Sequence, residues 1–463
     1  MEKLLLVSAD GHATMPTTLW DDYLDPKFHD YLPRLREEQE IYNKAMVLLT
    51  EANLAGRSSS LEVAYEEFDP DRVYRSGGWS GVWEAETRLK EMDREGVAAE
   101  FVFHGDFRAG DLFYSASNAN YDPPVAQAGA NAFNHWLHDT FGAHQDRLLL
   151  IGAVGRAVNR DAIMSSFEWI ADHGFAGSYM PGFTKHPDQL PLDDEWWDPV
   201  WSLCEERGLT MVVHGGYGLL PGRMLGTVQD STAKVRGEGG DDQALVRHLG
   251  EALFNDDFFR DLSCRRPLWQ LTLGGVFDRH PNLRVMFTEM RADWIPATLR
   301  RLDETFEQNR ADLPTSRRPS EFWHSNCMAG LSFMHRCEVE MRNEIGVDTL
   351  SFGRDYPHTE ATWPNTKDYL RGLFEGVSVD DTRLILGENL VRFLQLDRPY
   401  LAKVAEQIGF TPEEIVTDDA QIPDHLMAHL DSRCGFSKPP EHETRLLEVE
   451  PLLQEDLARL TTV

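Results

Sequence analysis

Short apolar runs alternate with segments of helical period along most of this chain, and the alternation restricts the fold more than any other feature. The candidate strands are Leu4–Ala9, Ala98–Phe103, Leu148–Val154, Gly174–Met180, Thr210–Val213, Arg284–Thr288, Phe322–Met328 and Thr349–Gly353. Helical patterns fall between most of them, over Trp83–Arg94, Gln127–His144, Asp161–His173, Glu195–Glu206, Leu268–Arg279, Pro296–Phe306, Cys337–Glu344 and Thr366–Phe374. Strand and helix in turn mean βαβ units and a parallel sheet. Eight such units predict an α/β chain folded as a (β/α)8 TIM barrel. No Gly-x-Gly-x-x-Gly follows the first strand, so the open dinucleotide-binding sheet is not expected.

Of the 463 residues, 1–398 are assigned to the barrel. Two stretches fall outside the repeat, near 20–82 and 215–262, and their clustered charge and glycine read as loop insertions. Loops after barrel strands are where a substrate pocket is built. Residues 399–463 form a C-terminal extension with a polar helix pattern at Glu443–Leu460, expected to pack on the barrel or on a partner subunit. A homo-oligomer is expected.

Lys and Arg number 45 against 77 Asp and Glu, a formal charge of −32. Such a chain lacks the phosphate-neutralising surface that nucleic acid or an anionic membrane demands. Five widely spaced cysteines, Cys204, Cys264, Cys327, Cys337 and Cys434, include no Cys-x-x-Cys pair, so neither a disulfide framework nor a thiolate zinc site is indicated. The apolar run at the N-terminus is too short for a signal peptide or a membrane span and reads as a buried strand. A cytoplasmic protein is expected.

The ionisable residues at the strand ends carry the chemistry. In a barrel the C-terminal ends of all strands meet at one mouth, so residues distant in sequence become neighbours. The first strand ends in Asp10-Gly-His12, the second in His104, the fifth in His214, the sixth in Glu289 and the eighth in Asp355-Tyr-Pro-His358. All are metal-ligand types. Asp10 and His12 are two apart, which in an extended segment places both on one side. Together the set exceeds the three protein ligands that a catalytic zinc usually takes, which predicts two metals. A lone strand-end His or Asp more often caps or hydrogen-bonds, and Glu289 also suits a general base or a partner of Arg291. No Gly-x-Ser-x-Gly elbow or Walker loop is present.

The segments SADGHATMP (Ser8–Pro16), VHGG (Val213–Gly216), FTEMRADWIPATLRRLD (Phe287–Asp303) and FGRDYPHTEATWP (Phe352–Pro364) resemble the amidohydrolase-related branch of the amidohydrolase superfamily, over roughly residues 4–397. The resemblance implies a barrel with metal at its mouth, ligands at Asp10, His12, His214 and Asp355, and Asp355 as a base. Two departures stand out. Dinuclear hydrolases of the superfamily often carry a bridging Lys at the fourth strand end, where this chain reads GSYMP (Gly177–Pro181). Decarboxylating relatives place a His after the sixth strand, where this chain has Glu289. A carboxylate-rich set suits iron or manganese better than a zinc-only site.

These features lead to the expectation of two iron ions, with manganese or zinc as alternatives. Asp10, His12 and Asp355 would hold one ion, His214 with His104 or His358 the other, and Glu289 would bridge or flank them. The branch it resembles includes non-haem dimetal monooxygenases, and the resemblance implies the activity of a non-haem diiron monooxygenase hydroxylating a small, largely apolar molecule, with an electron donor as partner. The alternative is a metal-dependent hydrolase or decarboxylase in which Asp355 is the base. A barrel keeping these residues for stability alone is disfavoured, because buried unpaired carboxylates are costly.

Overall fold

The strands form where branched and aromatic residues run unbroken, since a strand covered on both faces has no side to leave polar. The computed structural model describes residues 2–54, 77–105, 112–254, 262–332, 334–358, 362–417, 420–422 and 445–461. Within these, β1 (Leu6–Ser8), β2 (Val97–His104), β3 (Leu148–Gly152), β4 (Gly177–Tyr179), β5 (Thr210–His214), β6 (Arg284–Thr288), β7 (Cys327–Leu331) and β8 (Leu350–Phe352) follow one another around a parallel sheet. A two-residue strand, His12–Ala13, pairs in parallel with Phe103–His104 at the end of β2. The sheet closes beyond β8, where Ala9 N–H donates to the Phe352 carbonyl at 2.8 Å and Asp355 N–H to that of Asp10 at 3.1 Å. Helices cover the outside, and the architecture is the (β/α)8 barrel.

Val7, Phe101, Phe103, Ile151, Tyr179, Val212, Met286 and Met328 belong to one buried cluster that fills the barrel, joined by Leu401 and Ala405 of the helix Arg398–Ile408. A second, larger cluster lies between strands and helices.

Two expectations change. Residues Phe322–Asn326 are not strand but the end of a helix, Pro319–Asn326, which begins on a proline. The Glu321 carboxylate accepts the Arg318 backbone N–H at 2.9 Å, and β7 starts one residue after the helix, at Cys327. The stretches read as loop insertions instead carry helices, Leu32–Leu54, Arg223–Gly237 and Asp242–Phe254. Tyr42, Met46 and Leu49 of the first pack with Met224, Leu225, Val228, Val246 and Leu249 of the others. Residues 55–76 and 255–261 of those stretches lie outside the described residues.

The C-terminal helix Leu446–Leu460 packs on barrel helices of the same chain. Asp456, 1% exposed, accepts from Arg266 Nε and Nη2 at 2.8 and 2.9 Å, Trp269 Nε1 at 2.8 Å and Gln270 Nε2 at 3.1 Å. Cys204, Cys264, Cys327 and Cys337 are free thiols, and Cys434 lies outside the described residues. No described helix is long and apolar enough to cross a membrane.

Candidate metal centre

Barrel closure brings the ends of β1 and β8 side by side, and this is what assembles the site. His12 N–H donates to the Tyr356 carbonyl at 2.6 Å, so the Asp10–His12 and Asp355–His358 segments run as neighbours. Asp10, His12, His214, Asp355 and His358 are all buried. His12 Nε2 lies 3.4 Å from Asp10 Oδ1 and 3.1 Å from Asp355 Oδ1. His214 Nε2 reaches the same Asp10 oxygen at 3.4 Å, and His358 Nδ1 lies 2.9 Å from Asp355 Oδ1. The rings of His12 and His358 stack at 4.1 Å.

Two ligand groups result, Asp10–His12–His214 and His12–Asp355–His358, with the ligating atoms of each within 4.8 Å of one another. His12 belongs to both. Its Nδ1 lies 3.0 Å from the His104 carbonyl oxygen and donates to it, which leaves Nε2 as the coordinating nitrogen.

Glu289 and His104 stand outside these two groups. Glu289 Oε2 lies 2.9 Å from Nδ1 of His214, the ring nitrogen turned away from Asp10. A carboxylate there fixes the tautomer and orientation of a metal-binding imidazole. Gly215 makes room for it, since a Cβ at that position would fall 2.4 Å from Glu289 Oε2. The His104 ring packs against Tyr114, Tyr179, Phe133 and Phe183, and its carbonyl meets His12.

Burial alone would lower the pKa of His214, yet Glu289 and Asp10 push it up to about 10. Burial likewise works against a charged His12, and Asp10 and Asp355 outweigh it and raise its pKa well above the usual value. Burial would raise Asp10, but His214 and His12 hold it far below the carboxylate range. The site is a sink for positive charge. Among the described residues neither carboxylate oxygen of Asp355, nor Nε2 of His12, makes a well-aligned hydrogen bond, although all three atoms are buried. Orphaned buried oxygens facing imidazole nitrogens fit a divalent cation, and the His/carboxylate donor set is of the kind that Mn, Fe and Zn accept.

A family model described as amidohydrolase matches residues 10–396, from the first of these ligands to beyond the last. The chain belongs to the amidohydrolase family. It is thus a metal-dependent enzyme. Solved structures share the fold. An amidohydrolase from Mycobacterium avium subsp. paratuberculosis is 17% identical with a TM-score of 0.57, covering 85% of this chain and 100% of that one. A 2,6-dihydroxybenzoate decarboxylase from Rhizobium is 19% identical with a TM-score of 0.51, covering 86% and 100%. A 5-carboxyvanillate decarboxylase from Novosphingobium aromaticivorans, with bound manganese, is 17% identical with a TM-score of 0.50, covering 85% and 97%. No curated protein matches the sequence significantly.

In this amidohydrolase the candidate ligands are supported by further residues. Ser332, just after β7, donates its hydroxyl to Asp10 Oδ2, and Ser8 Oγ donates to the Asp10 carbonyl at 2.6 Å. Glu289 and Asp355 both sit at positive φ, 57° and 52°. Non-glycine residues rarely adopt this backbone, and it clusters where a site over-determines it. Glu289 directly follows β6, and Asp355 stands three residues beyond the end of β8.

Proposed function

We propose that this amidohydrolase holds one divalent cation among Asp10, His12, His214 and Asp355 and catalyses a redox-neutral reaction, hydrolysis or decarboxylation of a small molecule, with Asp355 carrying the proton. The observation behind this reading is the convergence of both ligand groups on Nε2 of His12. One nitrogen lone pair serves one ion. The residues left for a second ion are engaged elsewhere, Glu289 on Nδ1 of His214 and His358 on Asp355. The alternative expected from the sequence is therefore favoured over the diiron oxygenase, and no electron donor is required.

A bound divalent cation would supply Lewis acidity toward a substrate carbonyl or carboxylate oxygen, or toward water. The protein supplies the rest. Asp355 Oδ1 lies 2.9 Å from His358 Nδ1 and 3.1 Å from His12 Nε2, which places the carboxylate to take a proton from water in hydrolysis or, once protonated, to deliver one to carbon in decarboxylation. His358, 2.9 Å away, is placed to exchange that proton. Glu289 keeps the Nε2 of His214 directed at Asp10.

Aromatic acids are the substrates to try first, because the structures sharing this fold include a 2,6-dihydroxybenzoate decarboxylase and a 5-carboxyvanillate decarboxylase. Manganese-loaded protein should be incubated without oxygen with hydroxybenzoic acids and with esters and amides of aromatic acids. Turnover that releases carbon dioxide, or that places label from water in the product, supports the proposal. Turnover only with oxygen and a reductant, with label arriving from the gas, overturns it.

A further inference from the structure

Glu100 is a glutamate on a barrel strand, fully buried, of opposite parity to the interior residues Phe101 and Phe103. It accepts from Arg88 Nη2 at 2.7 Å and from Arg354 Nε and Nη2 at 2.7 and 3.0 Å, and both arginines are also fully buried. Arg354 Nη1 also donates to the Glu91 carbonyl at 3.3 Å, and further bonds of both arginines run to the metal-binding segments. Arg88 Nη1 donates to the carbonyl of His12. Arg354 immediately precedes Asp355, and its backbone N–H donates at 2.8 Å to Ser8 Oγ, the hydroxyl that holds the Asp10 carbonyl. The fit is close, since a Cβ on Gly11 would fall 2.6 Å from Arg88 Nη2 and 2.7 Å from the Glu100 carboxyl carbon.

We infer that Glu100, acting through Arg88 and Arg354, is a positioning residue that sets the relative placement of His12 and Asp355 and so the affinity of the metal centre. The inference rests on the one-ion reading of that centre. One carboxylate ties together the two loops whose ligands must meet, and Asp355 sits at a backbone conformation that relaxes unless something holds it. Neutralising Glu100 removes the one carboxylate that hydrogen-bonds both buried guanidiniums. The cheapest relaxation separates them, and each carries one ligand segment with it.

The test uses the full chain, stripped of metal and titrated with manganese chloride by calorimetry, with thermal unfolding measured alongside. Glu100→Gln keeps the shape and removes the charge. Arg88→Lys keeps the charge but has a single nitrogen to divide between Glu100 and the His12 carbonyl, and it decides the matter if Glu100→Gln does not fold. Each folded variant is expected to bind manganese about 10- to 100-fold more weakly than wild type, the range for residues that orient metal ligands. A folded variant with lowered unfolding temperature and wild-type manganese affinity reduces the cluster to a structural role and overturns the inference. A wild-type chain that takes up no manganese, zinc or iron overturns the metal-centre reading, and this inference with it, a result separate from tight wild-type binding with unaltered variants.

Discussion

Nδ1 of His214 lies 2.9 Å from a Glu289 carboxylate oxygen, while Nε2 of the same ring lies 3.4 Å from Asp10. The imidazole is therefore spanned by two carboxylates, one on the ligating side and one behind it. Glu289→Gln should leave metal stoichiometry unchanged in a saturated sample and weaken binding about 10- to 100-fold, as loss of an orienting partner does. Metal analysis after loading checks this. A fall in stoichiometry would make Glu289 a ligand in its own right.

Asp355 is the proton carrier in this account, and its role is separable from folding. Asp355→Asn keeps the volume and one oxygen, so the barrel should remain folded while kcat drops about 10²- to 10⁴-fold, the usual contribution of general acid–base catalysis. The measurement is steady-state kinetics on metal-loaded variant with near-ultraviolet circular dichroism as the folding control. A variant retaining wild-type kcat would move the proton transfer to another group.

Glu338 gives a pH signature away from the metal. Burial, with Asp293 adding to it and Arg291 opposing it, pushes its pKa up to about 7, and its oxygens accept the backbone N–H groups of Ala292 and His335 at 2.6 and 2.7 Å. A carboxyl with a raised folded-state pKa contributes most below its unfolded value, and the contribution is lost as pH rises from about 4.5 to about 7. Relative to Glu338→Gln, wild type should thus be more stable at pH 5 than at pH 8 by up to ~3 kcal/mol, the free energy of a shift from 4.5 to about 7. Denaturant unfolding at the two pH values tests it, and an equal difference at both would contradict it.

The C-terminal helix is held by Asp456, which takes hydrogen bonds from Arg266, Trp269 and Gln270. Asp456→Ala should cost about 3 kcal/mol in urea unfolding, the low end for breaking a buried pair because the Arg266 side chain is 22% exposed. Wild-type stability in the variant would show that the helix adds nothing to the barrel.

That Asp10, His12, His214 and Asp355 come together was legible because they stand at or just after the ends of apolar runs that read as barrel strands, and strand ends converge. What supports the ligands was not. Glu100 interrupts the run Val97–His104 as a surface residue would, and Arg88 and Arg354 look like solvated charges until the fold pairs them. The seventh strand was misplaced because Phe322 and Trp323 carry more apolar surface than Cys327–Leu331, whose Ala329 and Gly330 give a weak strand signal. The helix Leu32–Leu54 was hidden by charge on its outer face, since a helix packed on one narrow side shows few apolar residues. His104 stands at the expected strand end, where its ring packs among aromatic residues and its carbonyl accepts from His12 Nδ1.

Counting ions is the most direct test of the metal centre. Metal-stripped wild type titrated with manganese should bind one ion per chain, and His12→Ala should bind none while remaining folded, because both ligand groups converge on His12 Nε2. Two tightly bound ions in wild type, or a full complement in His12→Ala, would contradict the account.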